Sequence, residues 1–326
     1  MRTPRFKLPR ETSAVYHCIS RIVAGEFLLS PDTTKERLRT MMRRQAAFCG
    51  VQIITYSLMS NHFHILTRVP AQSELTDQDL FERVETFYGK AAPETLQLAD
   101  SIRIGGSIPE QDRVRLLKRM NDVSMFMKEL KQRFSVWYNK QHNRFGTLWA
   151  ERFRSLLVED RPEVVRTVAA YIDLNPVRAG MVADPADYRF CGYTEAASGK
   201  LLAINGIESF EGSGSGDWRE VVGKYQVTLF GKTQVGDAGA NPELELEKIR
   251  ALWKAKGRLS HLQSLRLRIR YFNDGAVLGS RLFVEELFQK HRDRFGAKRT
   301  TGARPLRRLP LKGLRILRAL RKSTVA

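Results

Sequence analysis

Two runs rich in β-branched and aromatic residues, 51–58 (VQIITYSL) and 62–69 (HFHILTRV), are joined by Met59-Ser60-Asn61 and constrain the fold more than any other stretch. Such residues suit a pleated, half-buried surface, so the two runs read as strands. Alternate residues of a strand share a face, so His62 and His64 point the same way and Phe63 points into the opposite layer. Two imidazoles on an apolar strand are costly to bury without partners. They can ligate a divalent metal and leave open positions, which a metal acting on a phosphodiester needs. Two ordinary strand histidines fit the same spacing, because a bare His-x-His motif has modest specificity.

The surrounding pattern is mixed. Residues 14–29 read as a strand or strand pair turning at Gly25, and 33–48 as a helix closed by Gly50. Residues 77–91 read as a helix and 112–139 as a long one. Between them, Pro93, Gly105-Gly106 and Pro109 suggest a loop-rich insertion over 92–112. A strand-prone segment, 143–160, leads to a helix from Pro162 to Asn175, with Asp160 able to cap it and Glu163 at the positive end of its dipole. The stretch EGSGSGD, 211–217, has the composition of a flexible linker.

The helix carries a second motif, Tyr171-Ile172-Asp173-Leu174-Asn175-Pro176-Val177-Arg178-Ala179-Gly180. Tyr171 and Asn175 are four apart and share a helix face. A tyrosine can attack phosphorus when a metal neutralises the developing charge. Asn175 can offer its carbonyl oxygen as a third ligand, and oxygen ligands suit Mg2+ or Mn2+. Core packing explains Tyr171 as readily, since Val164, Val165, Val168 and Ile172 form an apolar stripe with it. Asn before Pro is also an ordinary way to end a helix.

Composition narrows the partner. The 326 residues carry a formal charge of +20, and residues 251–326 hold 20 Lys and Arg against 4 Asp and Glu, a net of +16. Clustered Lys and Arg displace the counterions condensed on phosphate, so nucleic acid is the expected partner. A membrane is disfavoured because no stretch approaches the roughly 20 apolar residues of a span. The three cysteines, Cys18, Cys49 and Cys191, are far apart and fit a reducing compartment; with no signal-peptide pattern at the N-terminus, a cytoplasmic location is expected.

Taken in order, M-x-N-H-x-H-I-L (59–66), RFGTLWAERFRSLLVED (144–160) and YIDLNPVRAG (171–180) resemble the one-tyrosine HUH transposases, and most closely their REP-associated tyrosine transposase branch. The resemblance covers roughly residues 10–195 and departs from the family at Ser60, where Pro is common, and in the length of the 92–112 insertion. It implies an α+β, ferredoxin-like HUH nuclease domain with an antiparallel sheet. It implies metal on His62, His64 and Asn175, and a 5′-phosphotyrosine link at Tyr171 with single-stranded DNA cut near hairpins. The chain then divides into a nuclease domain (1–200), a linker (201–220) and a basic, mainly helical C-terminal extension (221–326) that binds DNA. A monomer is expected in preference to a homodimer.

Other residues compete for roles. Tyr138 is a rival nucleophile with His142, not a carboxamide, four residues on. Glu151 and Asp173 lie near the motifs without a catalytic assignment, and His17 on the first strand reads as structural. Arg144, Arg152 and Arg154 interleave with Phe145, Trp149 and Phe153, a pattern that suits phosphate contact with base stacking and equally suits a half-buried strand. Arg266, Arg268 and Arg270 alternate with apolar residues, 281–294 reads as a helix, and the terminal basic run ends in a possible amphipathic helix. A DNA-binding protein of the same ancestry that has lost activity is the alternative function. A replication or conjugation nuclease would carry three histidines in its motif or paired tyrosines, and neither is found.

Overall fold

The structure, a computed structural model, describes residues 4–212, 217–230, 247–251, 254–255, 260–267, 269–307, 309, 311 and 313–318. Its framework begins with β1 (Ala14–Arg21), α1 (Asp32–Cys49), β2 (Gln52–Leu58) and β3 (His62–Val69). Four helices follow: α2 (Asp77–Tyr88), α3 (Pro93–Gly105), α4 (Glu110–Leu117) and α5 (Val123–Gln141). The chain then enters β4 (Arg154–Val158) and α6 (Pro162–Asp173).

These strands take the order β2-β3-β1-β4 and all pair antiparallel. With α1 and α5 as the crossovers this is the ferredoxin-like arrangement. Gly50 ends α1 as expected: it sits in the left-handed region at φ 67°, and its N–H returns to the Ala46 and Ala47 carbonyls. One sheet face buries Phe63 against Trp149, which packs in turn on Phe134. Each such ring contributes about 1.5–3 kcal/mol by leaving water. The other face is covered by α6 and by α9 (Leu201–Glu211). Gly206 lets α9 lie directly on β2, since a Cβ there would meet the Ile54 carbonyl oxygen at 2.2 Å.

The remaining elements are α7 (Asn175–Arg178), α8 (Gly192–Ala197), α10 (Trp218–Phe230), α11 (His261–Leu265), α12 (Arg270–Asp274), β5 (Val277–Gly279), α13 (Arg281–Lys290), β6 (Arg304–Pro305) and β7 (Arg315–Leu317). The basic C-terminal region contributes strands as well as helices. β5 pairs parallel to β4, and β7 and β6 extend the same sheet to seven strands. No described helix is long and apolar enough to cross a membrane.

Three local expectations change. The 92–112 insertion is mostly helical, because its breakers act as punctuation: Pro93 opens α3, Gly106 closes it at φ 74°, and Pro109 precedes α4. The long helix over 112–139 is two helices, interrupted where Asn121 adopts φ 48° and Asp122 caps α5 by accepting from the Ser124 and Met125 N–H groups. The terminal basic run forms β7 at Arg315–Leu317 in place of the expected helix, because Ile316 and Leu317 pair with β5. Its residues from 319 onward lie outside the described ones.

Asp173 ties the layers together. Its carboxyl accepts from Thr55 Oγ1 of β2 (2.6 Å), Tyr225 Oη of α10 (2.7 Å) and the Tyr193 N–H (3.3 Å). Burial pushes its pKa up from 3.8 to about 7, with the three donors opposing the shift. The folded protein therefore holds a proton that the unfolded chain releases, and it loses stability as pH rises from about 4 to about 7. Asp173→Asn removes that dependence. Thermal melts across this range should show the wild type falling relative to the variant, by up to about 4 kcal/mol. A gap that stays constant with pH would mean that Asp173 is ionised throughout.

Candidate active site

The β1–β3 register sets Ile19 opposite His64, Arg21 opposite His62 and His17 opposite Leu66. Directly opposed residues project to one face, so a third histidine joins the pair. His17 Nε2 lies 2.8 Å from His64 Nδ1, and the rings stack with centroids 5.0 Å apart. The His62 ring is 5.2 Å from that of His64, and Asn61 Oδ1 accepts from His62 Nδ1 at 2.7 Å. Burial, reinforced by His17 and His62, pushes His64 well below its usual range. Burial likewise pushes His17 down to about 3. His64 is thus a neutral imidazole at physiological pH, the form that binds metals.

Both motif histidines engage a neighbour through Nδ1, the arrangement that fixes tautomer and orientation in metal-ligating histidines. Asn175 is buried, with Nδ2 lacking a partner and Oδ1 accepting from Arg178 Nη2 at 3.1 Å. Among the described residues no group of three or more His, Cys, Asp or Glu could hold a metal. The residues expected as ligands are two imidazoles and a carboxamide, donor types that suit a divalent ion, and the carboxamide oxygen is engaged by Arg178.

Tyr171 stands over this platform on α6, its ring centroid 6.4 Å from that of His17 and 6.5 Å from that of His64. It is only 2% exposed. The Arg178 guanidinium lies 3.9 Å over the ring and donates to the Tyr171 carbonyl at 2.7 Å. From the C-terminal region, α12 covers the remaining side: Phe272 packs edge-on at 4.9 Å, and Asn273 Nδ2 donates to Tyr171 Oη at 3.0 Å. Beside α12, a cleft of about 530 Å3 is lined by Arg21, Arg154, Arg270 and Asn273 together with the acids Glu151 and Asp274.

The other sequence candidates scatter. Arg154 shares the histidine face, opposite Ile19, and pairs with Glu151 and Asp274. Arg144 pairs with Glu26 at 3.1 Å, and Arg152 is exposed. Trp149 is buried: its Nε1 donates to the Lys131 carbonyl and its ring packs on Phe63 and Phe134, so it is a core residue and not a stacking platform. Phe145, 89% exposed, is the aromatic of that block that faces solvent. Arg270 opens α12 and Arg266 precedes it, whereas Arg268 lies outside the described residues. Tyr138 is buried against His142 and Phe134, in the layer opposite Tyr171.

Residues 11–78 match the family described as transposase IS200 like. The matched stretch runs from just before β1 into α2, so it contains all three histidines of the platform and neither Tyr171 nor Asn175. This match supports a transposase-like role in DNA processing. A solved REP-associated tyrosine transposase bound to a REP hairpin aligns with 61% of this chain and 86% of its own, at 15% identity and a TM-score of 0.39. No curated protein matches the chain.

The cover over Tyr171 can be tested without any assumption about activity. The double substitution Phe272→Ala/Asn273→Ala should make Tyr171 several-fold more reactive to tetranitromethane, read by peptide mass spectrometry. Equal nitration in both proteins would show that α12 does not shield the tyrosine in solution.

Proposed function

We propose that the chain is a metal-dependent, single-stranded DNA endonuclease and strand-transferase that acts near hairpin repeats through a 5′-phosphotyrosine intermediate at Tyr171. The observation that carries this reading is the convergence of His62 and His64 with the Tyr171 ring, 6.5 Å from that of His64, although the residues are more than a hundred positions apart in the chain. His62, His64 and Asn175 would hold Mg2+ or Mn2+, which when bound neutralises charge on a scissile phosphate.

Tyr171 Oη attacks phosphorus in line, the P–O3′ bond breaks, and the departing 3′-oxygen takes up a proton as the phenol releases its own to water. A different 3′-hydroxyl can attack the phosphotyrosine, restoring a phosphodiester and returning the proton to Tyr171. One phosphoester bond replaces another at each step, so no nucleotide cofactor is needed. Arg178 braces the tyrosine ring, Arg21 and Arg154 line the cleft where a strand would enter, and α12 must shift before Oη can reach phosphorus. The same reading takes a monomer as the working unit, with residues 1–200 as nuclease and 221–326 as a DNA-binding extension in the cytoplasm.

A second reading, a DNA-binding protein without activity, is favoured by the same burial of Tyr171 and by the hold of Arg178 on the Asn175 oxygen. One experiment separates the two. The full chain is incubated with Mn2+ and single-stranded hairpin DNA from its own locus, and a covalent adduct is sought on denaturing gels. An adduct is expected that chelation and Tyr171→Phe abolish. His64→Ala should slow it about a hundredfold or more, the effect of losing a few kcal/mol of charge stabilisation. An adduct that survives Tyr171→Phe overturns the nucleophile, and no adduct with any such hairpin leaves the binding reading.

A further inference from the structure

Two phenylalanines do not follow the burial of the others. Phe27 is 68% exposed and Phe145 is 89% exposed, and they are the exposed aromatics among the described residues. A ring left in water forfeits the burial that the other rings gain. Although far apart in the chain, the two stand on loops that the fold ties together. Arg144, just before Phe145, pairs at 3.1 Å with Glu26, just before Phe27. Behind the tips, the Val23 N–H donates to the Leu148 carbonyl at 3.1 Å and the Ala150 N–H to the Arg21 carbonyl at 3.0 Å. The Leu29 N–H donates to the Ser60 carbonyl at 2.9 Å, and Asn139 Nδ2 to the Gly146 carbonyl at 3.0 Å. The backbone is fastened where the rings are bare, so a ligand meets a surface that costs little to order.

These loops adjoin the histidine end of the sheet. Asn61 Nδ2 donates to the Gly25 carbonyl at 3.2 Å, while its Oδ1 accepts from His62 Nδ1 at 2.7 Å. Arg21, opposite His62 in the β1–β3 register, lines the cleft beside α12. From Arg21 the chain passes directly into the loop that carries Phe27, so a strand leaving the cleft at Arg21 meets the two rings next.

The surroundings of the rings select the occupant. Around Phe145 the loop is polar, with Gln141, Asn143 and Thr147 exposed. Single rings among polar groups do not form the contiguous apolar surface of a protein-docking site. They suit a nucleobase, which offers a π-face to the ring and a polar edge to the groups beside it. We propose that Phe27 and Phe145 form a stacking clamp for unpaired bases of a single nucleic-acid strand, just beyond the cleft that leads to Tyr171. The proposal rests on the reading of the chain as a DNA-processing protein but does not require that it cut DNA.

The test uses the full chain, with anisotropy of fluorescein-labelled oligothymidylate and of an abasic strand of the same length. The wild type should bind the base-bearing strand more tightly. Phe27→Ala/Phe145→Ala should weaken that binding about fivefold or more for each ring removed. It should leave abasic binding and the slope of log K against log salt unchanged, because no phosphate contact is lost. Phe27→Trp/Phe145→Trp should keep the preference for bases. Ile104→Ala/Leu282→Ala, which removes exposed apolar side chains elsewhere, should change neither affinity. If the double alanine variant does not fold, as judged by circular dichroism, Phe145→Ala alone carries the same comparison. Equal wild-type affinity for the two strands, or equal weakening of both in the variant, overturns the proposal. So does sedimentation that shows a wild-type dimer and a variant monomer, since a second copy is then the occupant. Failure of the catalytic reading is seen separately, as base-dependent binding without any covalent adduct.

Discussion

The antiparallel pairing of β1 with β3 is the constraint on which the candidate site depends. It sets His17 beside His64 and puts both, with His62, on the face that α6 covers. A slip of β1 by one residue against β3 would turn His17 into the layer occupied by Phe63 and Trp149, away from His62 and His64. The neighbouring strand makes a complementary adjustment. The β2–β3 register shifts between Ile53 and Thr55, so that Thr55 stands opposite Leu66. Without that extra residue Thr55 would face the other layer, and Asp173 would forgo its shortest hydrogen bond. The bulge on β2 and the tyrosine helix therefore form one unit, joined through a buried carboxyl two residues from Tyr171.

The parts of the molecule legible in the sequence are those that local pattern encodes. β2, β3 and α1 follow from β-branched runs, helical periodicity and a terminal glycine, and the shared face of His62 and His64 follows from strand parity alone. His17 reads as structural from the sequence because its role depends on pairing between residues 47 positions apart, which no local pattern encodes. Its alternation on β1, with Ile19 and Arg21 on the same side, is the available signal. The shielding of Tyr171 is invisible for a stronger reason: Phe272 and Asn273 are about a hundred residues away, on a five-residue helix with no periodicity of its own. The insertion over 92–112 shows a different difficulty, since Pro and Gly mark helix ends as well as loops and only the capping geometry tells them apart.

Net charge sets an expectation about the class of partner and leaves its location open. Much of the arginine in the first two thirds of the chain is used internally. Arg39 and Arg43 meet Glu195 across helices, Arg113 meets Asp77, and Arg166 meets Glu211. These partly buried pairs position α1, α4 and α6 more than they advertise charge. The C-terminal quarter has too few acids to do the same throughout, so most of its charge extends outward as a field.

The parallel contact between β4 and β5 gives that quarter a second office. β4 is a short, largely buried strand, Ser155-Leu156-Leu157-Val158 after Arg154, and its outer edge is satisfied by β5, with the Leu157 and Glu159 N–H groups donating to the Ala276 and Leu278 carbonyls. Proteolytic or engineered removal of residues 221–326 would bare that edge together with its apolar side chains. An unpaired hydrophobic strand edge is a template for association with other chains. The basic region is thus also the sheet's selvedge, and a chain trimmed to residues 1–220 would be prone to aggregation whatever its chemistry.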